Sequence, residues 1–381
     1  MSRRVLFHVQ HLLGSGHLRR AAVIASALAR HGFEVELVSG GFPVHPLDHG
    51  GARLVQLPPT RAADESFKTL LDESGNPVDD AWREQRRALL LARFDAFRPD
   101  VVITELFPLG RRVLSFELLP LLEAAHRRSP RPLVLSSVRD VLAPKNDPHK
   151  TEEMIARVYG AYDHVLVHGD PALLPLSASF PEQRIADRVV YTGYVTAPAA
   201  STSVDGAGEV IISVGGGAVG ARLIEAAMAA KPLGAARDRT WRFLLGGNLP
   251  ADARDRLRAR TGPGIVVEPA RTDFAGLLAH CHVSVSQAGY NTVMDLLETR
   301  ARAVLVPFAG GGETEQSVRA DALARRDWAI VCPEVDLAPE ALAAAIDRAA
   351  RLERPDASAL RRDGANETVR LINGWIAGGR S

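Results

Sequence analysis

Short runs of apolar, β-branched residues alternate with amphipathic segments along almost the whole chain. That alternation restricts the fold more than any other feature of the sequence. In the first half, Val5–Gln10, Glu34–Ser39, Arg53–Leu57, Val101–Glu105, Leu133–Ser137, Val165–His168 and Val189–Thr192 read as strands. Helical patterns lie between several of them, at Leu18–His31, Trp82–Phe97, Arg112–Arg127 and Glu152–Tyr162. In the second half, Val210–Val214, Arg242–Leu245, Ile265–Glu268, Val283–Ser286, Ala303–Val306 and Ile330–Cys332 read as strands, and Pro339–Arg351 and Ala357–Trp375 as closing helices. Strand–helix–strand repeats are βαβ units, which build a mostly parallel sheet with helices on both faces. Thr196–Gly208 breaks the rhythm: it has no apolar period and is rich in Ala, Ser, Thr, Pro and Gly, the composition of a linker. The expected organisation is a domain at 1–196, a linker at 197–208 and a second domain at 209–381. Both are α/β and doubly wound, and they face each other across a central cleft.

Composition narrows the class. At 381 residues the chain exceeds a usual single core, so two domains are expected. It is 46% hydrophobic and 24% charged, which suits a soluble globular protein, and its net charge of +1 gives no reason to expect nucleic-acid binding. Cys281 and Cys332 sit in or beside apolar runs and read as buried thiols rather than a disulfide. No His/Cys/Asp cluster has metal-ligand spacing and no Asp-x-Asp follows a strand, so no metal or other cofactor is expected. The apolar run after Met1-Ser2-Arg3-Arg4 is too short for a signal-peptide core, and no stretch approaches about 18 apolar residues. A cytoplasmic protein is the expectation, with peripheral membrane contact left open. Leu118–Leu122, near Arg127 and Arg128, reads either as a lipid-facing patch or as the buried face of an amphipathic helix.

Three loops in the second half each follow a strand: Val214–Arg222, Ser286–Thr292 and Gly310–Gln316. In an open parallel sheet they share the edge beyond the carboxyl ends of the strands, where ligands bind. Gly216, Gly217, Gly220 and Gly289 let backbone amides approach an anion, and a helix start adds partial positive charge. Gln287, Asn291, Thr292, Asp295, Glu315 and Gln316 supply amides, a hydroxyl and carboxylates for gripping sugar hydroxyls. That mixture implies a nucleotide-sugar site. In the first half, the opening strand is followed by Gly14-Ser15-Gly16-His17, a tight turn entering a helix, where an acceptor would sit. His17 can take a proton from a hydroxyl near neutral pH, cap the helix, or simply line the site. His11 is a site-lining candidate and His8 a structural one. Arg19 and Arg20 oppose the dipole of a helix start, which favours an anionic ligand, with Arg20 a candidate phosphate contact. Glu105 ends a strand where it could touch an acceptor or cap the next helix, and Ser137, Arg139 and Asp140 end another strand in a similar place.

Residues 209–325 resemble the C-terminal nucleotide-sugar domain of family 28 glycosyltransferases, the family of the N-acetylglucosaminyltransferase that completes lipid II. Four pieces carry the resemblance in order. Gly216–Arg222 looks like the family's Gly-Gly-Ser-x-Gly-Ala-Arg loop, with Arg222 closing it. Glu268–Phe274, containing Arg271, resembles the loop that holds the base through backbone atoms. Gln287–Asp295 is similar to the Ser-Gly-x-x-Thr-x-x-Glu segment, with Asp295 standing where the family uses Glu for both ribose hydroxyls. Val306-Pro307-Phe308 followed by Glu315, Gln316 and Ala320 resembles a Val-Pro-x run followed by Gln-Gln and Asn-Ala, with Glu315 replacing the first Gln of the pair that contacts the donor sugar. The resemblance implies the GT-B fold and an inverting transfer from a UDP-type sugar to a hydroxyl acceptor, lipid-linked or cell-envelope saccharides among them. The loop Gly14–Arg20 also resembles the Gly-x-Gly-His-x-x-Arg loop of the UDP-sugar hydrolase of pseudaminic acid synthesis, onto which His17 and Arg20 map. Hydrolysis is therefore an alternative expectation, and a non-catalytic nucleotide-sugar sensor a third.

Overall fold

The computed structural model describes the whole chain apart from residues 1, 65–66, 144–146, 197–202, 204, 215–219, 247–250, 309–313 and 379–381, together with the side chains of 251–253. Most of the expected linker at 197–208 lies outside the described residues. The chain divides into two units: Met1–Val195 with Arg361–Ser381, and Thr196–Leu360.

The first unit is built on strands whose side chains are buried on both faces, as a helix-covered parallel sheet requires. Its elements are β1 (Arg4–Val9), α1 (Gly16–Arg30), β2 (Glu34–Ser39), β3 (Arg53–Gln56), β4 (Arg61–Ala62), β5 (Leu70–Leu71), α2 (Asp80–Phe97), β6 (Val101–Glu105), α3 (Ser115–Arg127), β7 (Leu133–Arg139), α4 (Pro148–Ala161), β8 (His164–His168) and β9 (Val189–Tyr191). The sheet runs β3-β2-β1-β6-β7-β8-β9, and its pairings are parallel. The antiparallel pair β4-β5 stands apart from it. Val5 faces Val35 on one side and Val101 on the other, so chain direction across the sheet reverses between β1 and β6. One face packs Leu18, Ala21, Ile24 and Leu28 of α1 on Val5, Phe7 and Val35. The other packs Leu90 and Phe94 of α2 and Leu118, Leu121 and Leu122 of α3 on Leu6, Val38 and Val102. The Leu118–Leu122 run is thus the buried face of a helix. Arg86 and Glu117, both fully buried, join α2 to α3 through two hydrogen bonds of 2.6 and 2.9 Å. Burial pushes the Glu117 carboxyl up, but the Arg86 guanidinium and His8 overcome it and hold the group near a pKa of about 2.

The second unit contains β10 (Val210–Ser213), α5 (Ala221–Ala230), β11 (Trp241–Leu245), α6 (Ala251–Arg258), β12 (Ile265–Pro269), α7 (Phe274–His280), β13 (Val283–Ser286), α8 (Tyr290–Thr299), β14 (Ala303–Leu305), α9 (Glu315–Ala324), β15 (Ile330–Val331) and α10 (Pro339–Ala349). Its parallel sheet has the order β12-β11-β10-β13-β14-β15, which is the Rossmann order with its reversal between β10 and β13. Ile224, Ala227, Leu342 and Ile346 cover Val210, Ile212, Phe243 and Val304. Cys281 and Cys332 are free and buried.

The closing helix α11 (Gly364–Ala377) corrects two expectations. It starts at Gly364 rather than near Ala357, and it belongs to the first unit rather than to a domain running to 381. Its apolar stripe of Ala365, Val369 and Ile372 joins the core beneath α1, and Trp375 stacks on His164 with ring centroids 4.0 Å apart. The junction is tight: a Cβ on Gly364 would lie 2.3 Å from the Gly193 carbonyl oxygen, while the Gly364 amide donates to Tyr194. Periodicity announces a helix with an apolar face but not which core that face covers.

Candidate active site

In the first unit the reversal point gathers the loop after β1 and the end of β6. Gly16 begins α1, so His17 enters on the helix's first turn and Arg20 follows one turn later on the same side. Both are buried, and both reach Glu105. His17 Nδ1 lies 2.8 Å from Glu105 Oε1, Arg20 Nη2 donates to the same oxygen, and Ser137 Oγ donates to Oε2 at 2.6 Å. With Arg20 and Ser137 donating to it, the carboxylate is an acceptor, so His17 must donate through Nδ1–H. Its Nε2 then carries the lone pair. Burial pushes the His17 pKa well below the usual 6.5, and the cations Arg139, Arg111 and Arg20 push the same way, so the ring is neutral at pH 7. The loop leaving β6 is strained: Leu106 and Arg111 have φ of +67° and +56°, uncommon for residues with side chains and typical of segments held for function.

Two expectations are corrected here. Glu105 neither contacts an acceptor nor caps the next helix: its side chain has no exposed surface and both oxygens are engaged. Arg20 is turned inward onto Glu105, only 2% exposed, rather than presented to a phosphate. Gly14 and Ser15 are half-buried in the turn and Gly16 is exposed. His11 is buried at the end of β1; burial lowers its pKa to about 4 against a weaker raising contribution from the Phe42 backbone. Sequence reasoning missed His168, at the end of β8. Its Nε2 lies 3.0 Å from Ser137 Oγ and its Nδ1 2.8 Å from Thr192 Oγ1. Burial, then Arg20, lowers its pKa to about 3. A histidine closing an apolar strand was the available signal.

In the second unit, Gly220 has φ +140°, and a Cβ there would lie 2.4 Å from the Cβ of Val214, so only glycine fits between β10 and α5. Gly216 and Gly217 lie outside the described residues. Arg222 is exposed on the first turn of α5. Gly289 precedes α8 with open space where a Cβ would be, and Gln287, Asn291, Thr292 and Asp295 are half-buried on that loop and the helix it starts. Gln316 Oε1 accepts from the amides of Ala288 at 3.0 Å and Phe308 at 3.1 Å, tying together the segments after β13 and β14. Arg319 donates to the Ala288 carbonyl at 2.8 Å and to Glu315 Oε1 at 2.9 Å. Glu315 is buried against that arginine rather than turned to sugar hydroxyls, which corrects its expected role. Arg271 is held in an ion-pair cluster. It bonds both oxygens of Asp273 at 2.8 and 2.6 Å and reaches Asp205 at 2.8 Å, and this pairing lowers the Asp273 pKa to about 2. Arg242 bonds Glu209 and Glu268 beside it, so this loop is braced by its own ion-pair network. Among the described residues no cluster of three or more His, Cys, Asp or Glu could hold a metal ion, and no helix is long and apolar enough to cross a membrane.

Two Rossmann-type units, each with polar loops at its reversal point, define a protein of the GT-B fold. Solved structures agree: the calicheamicin glycosyltransferase CalG4 aligns over 99% of this chain and 95% of its own, with a TM-score of 0.61 at 16% identity. MurG of Acinetobacter baumannii aligns over 97% and 99%, with a TM-score of 0.57 at 17% identity. Residues 211–369 match the glycosyltransferase family 28 C-terminal domain. The UDP-N-acetylglucosamine–N-acetylmuramyl-(pentapeptide) pyrophosphoryl-undecaprenol N-acetylglucosamine transferase of Methylibium petroleiphilum is 30% identical over 217 residues, covering 50% of this chain and 58% of that protein. The enzyme of the same name from Granulibacter bethesdensis is 34% identical over 126 residues, covering 32% and 31%. The chain thus matches little more than half the length of the first relative and less of the second.

Proposed function

We propose that this protein is an inverting glycosyltransferase that moves a sugar from a nucleoside diphosphate, UDP in particular, to a hydroxyl acceptor. The observation that carries the reading is the His17–Glu105 pair, 2.8 Å apart at the reversal point of the first unit. A neutral imidazole whose Nδ1–H is held by a carboxylate offers Nε2 as a general base. The acceptor oxygen attacks the anomeric carbon, the bond to the diphosphate oxygen breaks with its electron pair leaving on the diphosphate, and His17 Nε2 takes the acceptor's proton. Glu105 then faces an imidazolium and stabilises it. The donor side rests on the family 28 domain: the nucleotide lies along the loops after β10, β13 and β14, Asp295 accepts ribose hydroxyls, and the start of α5 meets charge growing on the diphosphate. Gln287, Gly289, Asn291, Thr292 and Gln316 complete the donor side, and Gly14–Gly16 borders the acceptor. The names of the relatives suggest a lipid-linked saccharide as acceptor and peripheral membrane contact.

Incubating the protein with a panel of nucleotide sugars, with and without cell extract, tests this. Release of UDP that requires extract and yields a glycosylated product supports transfer. Release at the same rate in buffer alone points to hydrolysis, and binding without any release points to a sensor.

A further inference from the structure

The Glu105 carboxylate is the end of a longer chain of polar groups. The adjacent strands β6, β7, β8 and β9 each deliver one polar residue at their carboxyl ends: Glu105, Ser137, His168 and Thr192, the last just beyond its strand. Glu105 and Ser137 are direct partners in the sheet register. The contacts run in sequence at 2.6, 3.0 and 2.8 Å, and all four residues are at most 2% exposed. We infer that Ser137 and His168 are positioning residues, which with Thr192 form a proton-ordered relay that orients the Glu105 carboxylate and so fixes His17 in its Nδ1–H tautomer. The consequence for catalysis rests on the reading of His17 as the base.

Counting protons leaves two polarities. Each hydroxyl has one proton, and a neutral imidazole has one N–H and one lone pair. With Glu105 ionised, Ser137 donates to Oε2, so Ser137 Oγ must accept from His168 Nε2–H, and His168 Nδ1 must accept from the Thr192 hydroxyl. The opposite polarity requires a proton on Glu105. Serine would then donate to His168 Nε2, Nδ1–H to Thr192, and Thr192 to the Gly193 carbonyl 2.9 Å away. Arg20 on Oε1 selects the first arrangement, because a buried guanidinium favours the charged carboxylate. His168 therefore reports through its tautomer the charge of a carboxylate it does not touch.

The full chain, labelled with ¹⁵N-histidine, tests this at pH 7 through two-bond ¹⁵N–¹H couplings. The expected spectrum has His17 as the Nδ1–H form and His168 as the Nε2–H form. Ser137→Ala should release His168 to the Nδ1–H form, shift the His17 Nδ1–H resonance and leave UDP affinity within about twofold. Ser137→Thr, which restores the hydroxyl, should return His168 to Nε2–H. Where turnover is measurable, Ser137→Ala should lower kcat about tenfold, a fraction of the whole contribution of a base. It should also raise the acid limb of kcat/KM by about half a unit, because a carboxylate with one donor fewer attracts the His17 proton more strongly. The other charges facing His17, from Arg20, Arg111, Arg139 and neighbouring His11, are unchanged by the substitution. An Nδ1–H ring at His168 in the unsubstituted protein overturns the proposal, as do unchanged His17 and His168 spectra in Ser137→Ala. The spectra need no acceptor, so expected tautomers in a protein that transfers nothing would support the relay and count against the functional reading alone.

Discussion

Three donors converge on the two oxygens of Glu105, and that crowding decides what substitutions there should do. His17→Ala removes the proposed base but none of the nucleotide loops. Turnover should fall by about 10²–10⁴, with UDP affinity changed no more than a few-fold; wild-type turnover with the true acceptor would move the base elsewhere. Glu105→Gln should cost more than activity. It leaves the Arg20 guanidinium buried opposite a neutral amide, a loss of about 3 kcal/mol in the unfolding free energy of the first unit. Asp295→Ala tests the other unit. Its half-buried carboxylate should be worth about 1–3 kcal/mol in UDP affinity measured by calorimetry, with no loss of fold. His17 was legible in the sequence because a histidine after a glycine turn is a local pattern. Its partner was not, because 88 residues separate them and only the strand order places β6 beside β1.

At the scale of elements, the start of α9 acts as a clamp. Gln316 holds the Ala288 amide and Arg319 its carbonyl, so the two peptide units flanking Ala288, ahead of α8, are both fixed. Arg319→Met keeps the bulk but removes the guanidinium that bonds the buried Glu315 carboxylate. It should destabilise the second unit by about 3–5 kcal/mol in denaturant unfolding and leave the first unit's transition unmoved. Ile372→Ala is the reverse case: a fully buried side chain of α11, whose loss should cost the first unit alone about 2–5 kcal/mol. The main strands were legible because β-branched runs buried on both faces read as continuous apolar segments. The pair β4-β5 was not, since two-residue strands such as Arg61–Ala62 carry no alternation to detect. The burial of Glu315 was also hidden, because its helix-start position says nothing of the arginine one turn later until α9 is packed.

For the whole molecule, acid should act unevenly. His11 and His168 titrate near 4 and 3, and His17 well below 6.5, whereas an unfolded histidine titrates near 6.5. As pH falls through 6.5 the unfolded chain binds protons that these folded rings refuse. The stability they contribute is therefore complete above 6.5 and declines towards pH 4. His11 and His168 should each cost the fold about 2 kcal/mol at pH 5 relative to pH 7, and His17 acts in the same direction. All three lie in the first unit, so calorimetric scans over that range should lower its transition more than that of the second; equal movement would contradict the assignment. The two-unit plan was readable from the interruption at Thr196–Gly208, but the return of the chain at Arg361 was not, because the apolar stripe of α11 could have served either core. That return makes the second unit an insertion within the first. During synthesis the second unit is complete while α1 still lacks the helix that covers it. A chain that stops after Leu360 therefore carries a finished second unit and an unfinished first unit holding His17; on the proposed division of roles it should be able to bind nucleotide long before any chain of this sequence can act on it.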